Sequence, residues 1–252
     1  MAGGAADERS VAARVFAIAD AFEQGDELTL SDVARRARLP VSTTHRLLSE
    51  WVQWGGLVRG EDGRYRVGIR MWRLGTRQPT ARRMREVGRP YLDDLLEATG
   101  EHVHLAIRDG LGAVYLERLS GPGAISVISD IGSELPLHAT GVGLVLLAFA
   151  RPEVFDAVVA SGPRKFLPNT LTGERELRAR LADIRATGLA VTVEELTRGA
   201  FSVAAPIRAG TGEVVAAVSI IAHAERRNEP HFALGVRMAA RGISDALRTT
   251  PR

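Results

Sequence analysis

The histidine and glutamate side chains that could do chemistry are poorly arranged for catalysis. His102 and His104 would lie on one face of a strand, a spacing compatible with metal binding, but no third ligand is evident in the sequence. Glu194 and Glu195 are adjacent, so in a strand they would point to opposite faces and would not form a carboxylate pair. The chain has no cysteine, no Gly-x-Ser-x-Gly elbow and no P-loop. We therefore expect no catalytic residues, no metal and no cofactor, and we expect that the protein is not an enzyme.

A glycine-rich segment could bind a ligand instead. Residues 136–143 read Pro-Leu-His-Ala-Thr-Gly-Val-Gly and run into an apolar helix, which we expect over residues 141–150. Glycines at the start of a helix expose backbone N–H groups, and these can bind an anion such as a small carboxylate. A glycine-rich turn that serves only tight packing explains the same residues equally well.

Positive charge is concentrated in one part of the chain. The formal net charge is only +3, but residues 35–77 contain ten arginines and three acidic residues, a net +7, so the remainder carries −4. A basic segment in an otherwise mildly acidic chain is typical of nucleic-acid binding. A solvated arginine-rich surface gives the same charge count, so the choice depends on the elements that carry the arginines.

The second and third of three predicted helices carry the first group of candidate DNA contacts. Apolar residues recur at helical spacing over residues 11–22, 30–38 and 42–54, with Ser10 and Ser31 as the N-caps of the first two helices. The last two helices have the dimensions of a helix-turn-helix, in which the second helix presents its N-terminal side chains to the major groove. The candidate contacts are Ser31, Ser42, Thr43, Thr44, His45 and Arg46.

A predicted β-hairpin follows the third helix. Residues 57–59 and 64–67 are short alternating runs joined by Glu61-Asp62-Gly63, in which Asp-Gly is a strong turn signal. We expect three arginines to face the DNA backbone and three apolar residues to pack inward: Arg59, Arg64 and Arg66 in the first set, and Val58, Tyr65 and Val67 in the second. The order of three helices and a basic hairpin predicts a winged helix-turn-helix that binds double-stranded DNA.

The rest of the chain predicts an α+β domain behind a linker helix. Residues 78–99 form an amphipathic helix, which either packs on its own domain or pairs with the same helix of a second subunit. The predicted strands are 102–108, 113–119, 125–128, 189–194, 201–208 and 214–222, and the predicted helices are 141–150, 153–160, 173–187 and 230–247. We therefore expect a DNA-binding domain over residues 1–77, a linker helix over 78–99 and a sensor domain over 100–252.

The cellular location is predicted from what the sequence lacks. No apolar run reaches the roughly 18–20 residues needed to span a bilayer, and residues 1–9 lack the basic-then-apolar order of a signal peptide. We expect a cytoplasmic protein without membrane contact.

Four segments resemble the IclR family of bacterial regulators, and together they cover nearly the whole chain. They are Ser10-Val11…Arg14…Ile18…Phe22; Leu30…Val33-Ala34…Leu39-Pro40…Ser42-Thr43…Arg46-Leu47-Leu48; Pro136-Leu137-His138-Ala139-Thr140-Gly141…Gly143…Leu147-Ala148; and Glu194-Glu195…Gly199…Ser202-Val203-Ala204-Ala205-Pro206-Ile207. The resemblance implies a winged helix-turn-helix, a linker helix and a GAF-like α/β effector-binding domain in a dimer or tetramer. It also implies that a small-molecule effector alters binding to an operator, and we expect a repressor.

The resemblance implies an effector pocket formed by Val127, Gly141, Val142, Thr192, Ala200, Ser202 and Ser219. Two positions depart from the family pattern. The lysine that is common after the second glycine is Leu144 here, and an acidic residue used for ligand contact in some members is Thr192. These departures argue against a glyoxylate-like effector and favour a larger or less polar one, such as a small organic or aromatic acid. Two alternatives stay open: a regulator whose pocket has degenerated, and an enzyme with an N-terminal interaction module.

Overall fold

Two compact units make up the structure, a computed structural model that describes residues 9–23, 25, 27–122 and 125–249. The first unit extends to Arg82 and the second begins at Arg83. The division falls inside the predicted linker helix, so most of that helix belongs to the second unit. The mixed α and β composition agrees with the predicted fold class.

Helices and a small antiparallel sheet form the first unit. The elements are α1 (Val11–Asp20), β1 (Glu27–Leu28), α2 (Leu30–Ala37), α3 (Val41–Trp54), β2 (Leu57–Arg59), β3 (Tyr65–Val67) and α4 (Ile69–Gly75). The sheet has the order β1-β3-β2, so the predicted two-stranded hairpin is completed by a third strand that the sequence did not predict. Its core includes Ile18, Val33, Leu47, Leu48 and Tyr65.

The helix starts of the first unit are fixed by side-chain caps. Ser10 Oγ accepts a hydrogen bond from Ala13 N at 3.1 Å, which confirms the predicted cap of α1. For α2 the cap is Thr29, because Thr29 Oγ1 accepts from Asp32 N and an Asp32 carboxylate oxygen accepts from Thr29 N, each at 3.2 Å. The prediction that Ser31 is the cap is therefore wrong.

A six-stranded antiparallel sheet organises the second unit. The strands are β4 (His102–Asp109), β5 (Gly112–Leu119), β6 (Glu134–Pro136), β7 (Ala190–Val193), β8 (Ala200–Arg208) and β9 (Val214–His223), in the order β6-β5-β4-β9-β8-β7. The helices are α5 (Pro79–Thr99), α6 (Gly141–Ala148), α7 (Pro152–Ala160), α8 (Glu174–Thr187) and α9 (Glu229–Thr249).

Helices cover both faces of this sheet. Successive strand residues point to opposite faces. Ala204 and Ala217 pack in one cluster with the residues of α6, whereas the Phe201 ring lies 6.2 Å from that of Phe232 on α9. All eight residues of α6 are buried, because the helix lies between the sheet and α8. The start of α6 is thereby held against strands β8 and β9.

One predicted strand is wrong. Residues 125–128 lie outside any strand, and the edge of the sheet is β6, which pairs with β5. The apolar alternation at 125–128 has another origin, since Ile125 is buried, and Val127 and Ile128 line a cavity.

Helix α5, which covers the predicted linker, packs from Arg83 onward within the second unit. Its buried residues include Met84, Gly88 and Leu92. Arg83 Nη2 donates a 2.9 Å hydrogen bond to the carbonyl of Leu247, and a Cβ on Gly88 would lie 3.2 Å from Leu105 Cδ2. Of the two predicted roles for this helix, packing on its own domain is therefore observed. No helix in the described ranges is both long and apolar enough to cross a membrane.

Candidate functional site

The start of α3 presents polar side chains to solvent. Ser42, His45 and Arg46 are exposed, and Thr43 is half-buried. Arg46 Nη1 forms a 2.8 Å ion pair with Glu50 Oε1 one turn later. An exposed pair of this kind contributes little to stability, so the guanidinium can exchange the carboxylate for another anion at small cost.

Thr44 is a correction to the predicted DNA contacts. Its side chain is 0% exposed, and its Oγ1 donates a 3.0 Å hydrogen bond to the Pro40 carbonyl. It belongs to the core at the helix start and has no free surface for a base or phosphate. Ser31 is exposed in the first turn of α2.

The hairpin buries a different set of residues from the predicted one. Tyr65 is buried as predicted, and its buried companion is Leu57. Val58 and Val67 are about half exposed, at 46% and 51%, so their predicted inward packing is wrong. Arg64 is exposed next to the turn.

The hairpin arginines do not share one face, which corrects the predicted DNA-facing row. Arg59 pairs in register with Tyr65, and its guanidinium carbon lies 5.6 Å from the Tyr65 ring centre. Arg66 is the next residue along β3 and so points to the opposite face. It is held by ion pairs to Glu27 at 2.6 Å and to Asp62 at 2.8 Å. Among the described residues, Arg59 and Arg64 form no ion pair, whereas the charge of Arg66 is balanced within the unit.

A cavity in the second unit brings together all seven residues of the predicted effector pocket. They are Val127, Gly141, Val142, Thr192, Ala200, Ser202 and Ser219. The centre of a water molecule could occupy about 40 Å³ of this cavity, whereas one water needs roughly 10–15 Å³. The cavity can therefore hold a compact small molecule.

The N-terminus of α6 forms one wall of the cavity. Thr140 caps the helix, since its Oγ1 accepts from Gly143 N at 3.1 Å. The N–H groups of Gly141 and Val142 have no hydrogen-bond partner in the described part of the chain. Both residues are buried, so these two donors meet the conditions for binding a carboxylate.

Both sequence explanations of the glycines find support, each at a different position. A Cβ on Gly143 would lie 2.6 Å from the carbonyl oxygen of Leu137, so this glycine is required by tight packing. A Cβ on Gly141 would lie 2.8 Å from Ser202 Oγ, inside the cavity wall. The glycine at 141 therefore also keeps the helix start close to the strand that carries Ser202.

Several cavity residues were not predicted from the sequence. Those with polar side chains are Tyr115, Ser129, Glu195 and Thr197, whereas Thr140 belongs to the glycine-rich segment that the sequence predicts to bind a ligand. Burial raises the pKa of the Tyr115 phenol, so it stays protonated and able to donate a hydrogen bond. None of the described residues that line the cavity is arginine, lysine or histidine. Backbone N–H groups and hydroxyls therefore provide its donors.

Glu194 and Glu195 lie in a turn after β7, not in a strand. Glu194 has a φ of 50°, and its Oε1 accepts from Gly199 N at 2.6 Å, which holds the turn closed. Glu195 is buried at the cavity, and burial raises the pKa of its carboxyl to about 7, against the opposing effect of Arg180. The sequence contained a signal for this residue, because two adjacent acidic residues stand in an apolar region.

The two histidines are part of the buried interior of the sheet. His102 Nε2 bonds to the Ile125 carbonyl, and His104 lies next to Ser129 Oγ at 3.5 Å. Burial, with the nearby charges of His102 and Arg118, lowers the pKa of His104 to about 3, so its imidazole is neutral. Within the described ranges, no group of three or more His, Cys, Asp or Glu side chains could hold a metal ion.

Comparison with known proteins identifies the family. The model for the C-terminal domain of IclR bacterial transcriptional regulators matches residues 80–245, and the model for the IclR helix-turn-helix domain matches residues 11–61. The chain belongs to the IclR family. As an IclR-family member it is a helix-turn-helix transcriptional regulator, which confirms the resemblance noted in the sequence.

Individual members of the IclR family match over most of their length. The transcriptional repressor AllR of Klebsiella pneumoniae is 31% identical over 242 residues, which cover 91% of this chain and 86% of AllR. The regulator XynR of Escherichia coli is 32% identical over 223 residues, with 87% and 88% of the two chains covered.

Solved IclR structures share the fold. An IclR homologue from Microbacterium hydrocarbonoxydans in complex with 4-hydroxybenzoate is 36% identical and has a TM-score of 0.88 over 96% of this chain and all of the other. The IclR protein of Thermotoga maritima is 28% identical, with a TM-score of 0.71 over 93% and 96% of the two chains.

Proposed function

We propose that the protein is a repressor whose operator binding is controlled by a small organic or aromatic acid held in the cavity of the second unit. The proposal depends on one observation: seven predicted residues line one cavity, beside two backbone N–H groups that have no hydrogen-bond partner among the described residues. The repressor role is supported by the similarity to AllR, and an aromatic acid by the similarity to a homologue that binds 4-hydroxybenzoate.

The proposed operator contacts are the exposed polar side chains of α2, α3 and the hairpin. Small hydroxyls and cations reach base edges and phosphates, and the exposed arginines supply the salt-dependent part of the affinity. The proposed set is Ser31, Ser42, Thr43, His45, Arg46, Arg59 and Arg64. Arg66 supports the hairpin through its two ion pairs.

Fluorescence anisotropy with DNA from upstream of the protein's own gene tests operator binding. We expect sequence-selective binding that weakens as salt rises, and we expect Arg46→Ala to weaken it by at least about tenfold. Arg178→Ala is a matched control, because Arg178 forms the same kind of exposed ion pair, with Glu174 on α8.

The two variants separate a DNA contact from a general loss of surface charge. If Arg46→Ala and Arg178→Ala lose DNA affinity equally, Arg46 is not a DNA contact. Wild-type binding no tighter than to random DNA would contradict this operator and lead to selection from a genomic library.

Thermal unfolding with added 4-hydroxybenzoate, benzoate and pyruvate tests the effector class. A ligand that binds only the folded state raises apparent stability by mass action. We expect an increase with the aromatic acids and a smaller one with pyruvate. No increase with any acid would favour a degenerate pocket. We also propose that the second unit has no catalytic activity, and conversion of a bound acid to a product would contradict this.

We further propose that the protein is a homodimer or a dimer of dimers that acts on operator DNA in the cytoplasm. Exposed apolar side chains on α4, including Ile69 at 69% and Trp72 at 65%, support an interface there. Light scattering of wild type and Trp72→Ser tests this, and a wild-type monomer at micromolar concentration would contradict it.

A further inference from the structure

The carboxyl of Glu195 is buried at the effector cavity with an incomplete set of partners. The residue is 4% exposed and lines the cavity. Its Oε1 lies 3.5 Å from Arg180 Nη1, the outer limit of a hydrogen bond. Its Oε2 is buried and has no hydrogen-bond partner among the described residues. A buried carboxyl oxygen without a partner is costly, so a natural ligand that supplies a donor would gain affinity.

Arg180 does not satisfy both oxygens of the Glu195 carboxyl. The same Nη1 donates at 2.7 Å to the carbonyl of Val191, which is its better partner. Arg180 is also about one third exposed, whereas Glu195 is buried. The arginine therefore screens the carboxyl from one side and leaves the other oxygen for a different group.

Two side-chain hydrogen bonds hold the turn that carries Glu195 in place. Glu194 has a left-handed backbone conformation, and its side-chain Oε1 accepts a hydrogen bond from Gly199 N. Thr170 Oγ1 donates to the carbonyl of Glu195 itself. A side chain on an anchored turn loses little freedom when it binds a ligand, which favours a specific contact over an adaptable one.

We propose that Glu195 is a specificity-determining residue that accepts a hydrogen bond from a hydroxyl or N–H group of the effector. This rests on the proposed function, and it narrows the effector to small organic acids that carry a second polar group with a hydrogen to donate. The acidic group would bind the N–H groups of Gly141 and Val142, and the donor would bind the carboxyl. An acid without the donor leaves Glu195 Oε2 without a hydrogen-bond donor.

Isothermal titration calorimetry on the full-length protein tests the assignment with a matched set of acids. The probes are 4-hydroxybenzoate and 3-hydroxybenzoate, which carry a donor, and benzoate and 4-methoxybenzoate, which do not. We expect at least one hydroxybenzoate to bind wild type roughly tenfold more tightly than both donor-free acids. In Glu195→Leu this preference should fall to within about twofold, with benzoate binding retained.

Two further variants serve as controls. Glu195→Gln keeps one acceptor oxygen on a neutral amide, so its preference should lie between those of wild type and Glu195→Leu. If the leucine variant does not fold, an undiminished preference in Glu195→Gln would contradict the role of Glu195. Glu176→Gln changes an exposed carboxylate on α8 and should behave as wild type.

The outcomes separate this inference from the proposed function. If the acids bind with the same relative affinities in wild type and Glu195→Leu, the effector cavity stands and the role of Glu195 is wrong. If no acid binds wild type, the proposed effector class is wrong and the inference fails with it.

Discussion

At the residue scale, neighbouring side chains at the start of α3 have different environments because a helix rotates each residue by about 100° from the last. Thr43 and His45 keep exposed surface, whereas Thr44 between them is fully buried. The sequence shows three hydroxyl residues in a row and cannot by itself tell which one faces the core. The hydrogen bond from Thr44 to Pro40 settles it.

Thr44→Val should lower stability without weakening DNA binding. The change keeps the shape and removes a buried hydrogen bond, so we expect a loss of about 1 kcal/mol in the free energy of unfolding. All three tryptophans, Trp51, Trp54 and Trp72, lie in the first unit, so their fluorescence during urea denaturation reports on it. Ser42→Ala should weaken DNA binding and leave stability unchanged. A DNA affinity equally reduced in both variants would contradict the burial of Thr44.

Glu195 should make stability fall as pH rises. Its carboxyl binds a proton more tightly in the folded protein, with a pKa of about 7 against 4.5, so the folded state holds more protons between these values. The stability it contributes is full below about pH 4.5 and is lost as pH rises through about 7, by at most about 3 kcal/mol. Calorimetric unfolding of wild type and Glu195→Gln from pH 5 to pH 8 should show the wild type losing stability relative to the variant.

The comparison of wild type with Glu195→Gln is needed because His104 has the opposite effect on the pH dependence of stability. Its pKa is lowered to about 3, so the unfolded chain binds more protons below about pH 6.5 and stability falls with acid. Both proteins in the Glu195 experiment share this contribution, and it cancels in the difference. A difference that is independent of pH would show that Glu195 titrates normally.

At the element scale, helix and strand periodicity predicted most of the fold, since the long elements bury one face. Where the prediction failed, the apolar residues served another purpose. Residues 125–128 alternate like a strand because they pack beside and line a cavity. The two residues of β1 and the exposed apolar turns of α4 are too short or too uniform for a periodic signal.

The residues of the cavity, unlike the helices and strands, could not be predicted from local sequence patterns. Its predicted residues came from family resemblance, because β7, β8, β9 and the start of α6 meet only through long-range strand pairing. Thr192 lies opposite Ser202, and Ala204 lies opposite Ser219, and no local pattern reveals such pairs. Glu195 was missed because its neighbours were assigned to a strand, whereas the left-handed Glu194 turns the chain toward the cavity.

Gly143→Ala should destabilise the second unit by about 1–3 kcal/mol. The new Cβ would meet Thr140 Oγ1 at 2.5 Å and the Leu137 carbonyl oxygen at 2.6 Å, and the backbone atom cannot move aside cheaply. Gly75→Ala on α4 is the control, because its Cβ would meet no atom of the described residues within 4 Å, and we expect no loss of stability there. Calorimetric unfolding measures both, and equal stability of the two variants would contradict the tight packing at the start of α6.

At the scale of the whole molecule, the chain holds a DNA-binding unit and a cavity in separate compact units. An effector can change operator affinity only if it binds the DNA-competent and DNA-incompetent states with different affinities. The chain passes from one unit to the other within α5. This helix begins in the first unit and continues in the second, where Met84 and Leu92 are buried.

Thermodynamic linkage makes the control hypothesis quantitative. If a bound acid weakens operator binding by a given factor, saturating operator must weaken acid binding by the same factor, typically about 5- to 150-fold. Anisotropy with and without saturating acid gives the first factor, and calorimetry with and without saturating operator gives the second. Equal factors above one would establish the cavity as the control site. Equal factors of one, with both ligands bound, would mean that the cavity does not control DNA binding, because a ligand with no preference between the two states shifts nothing.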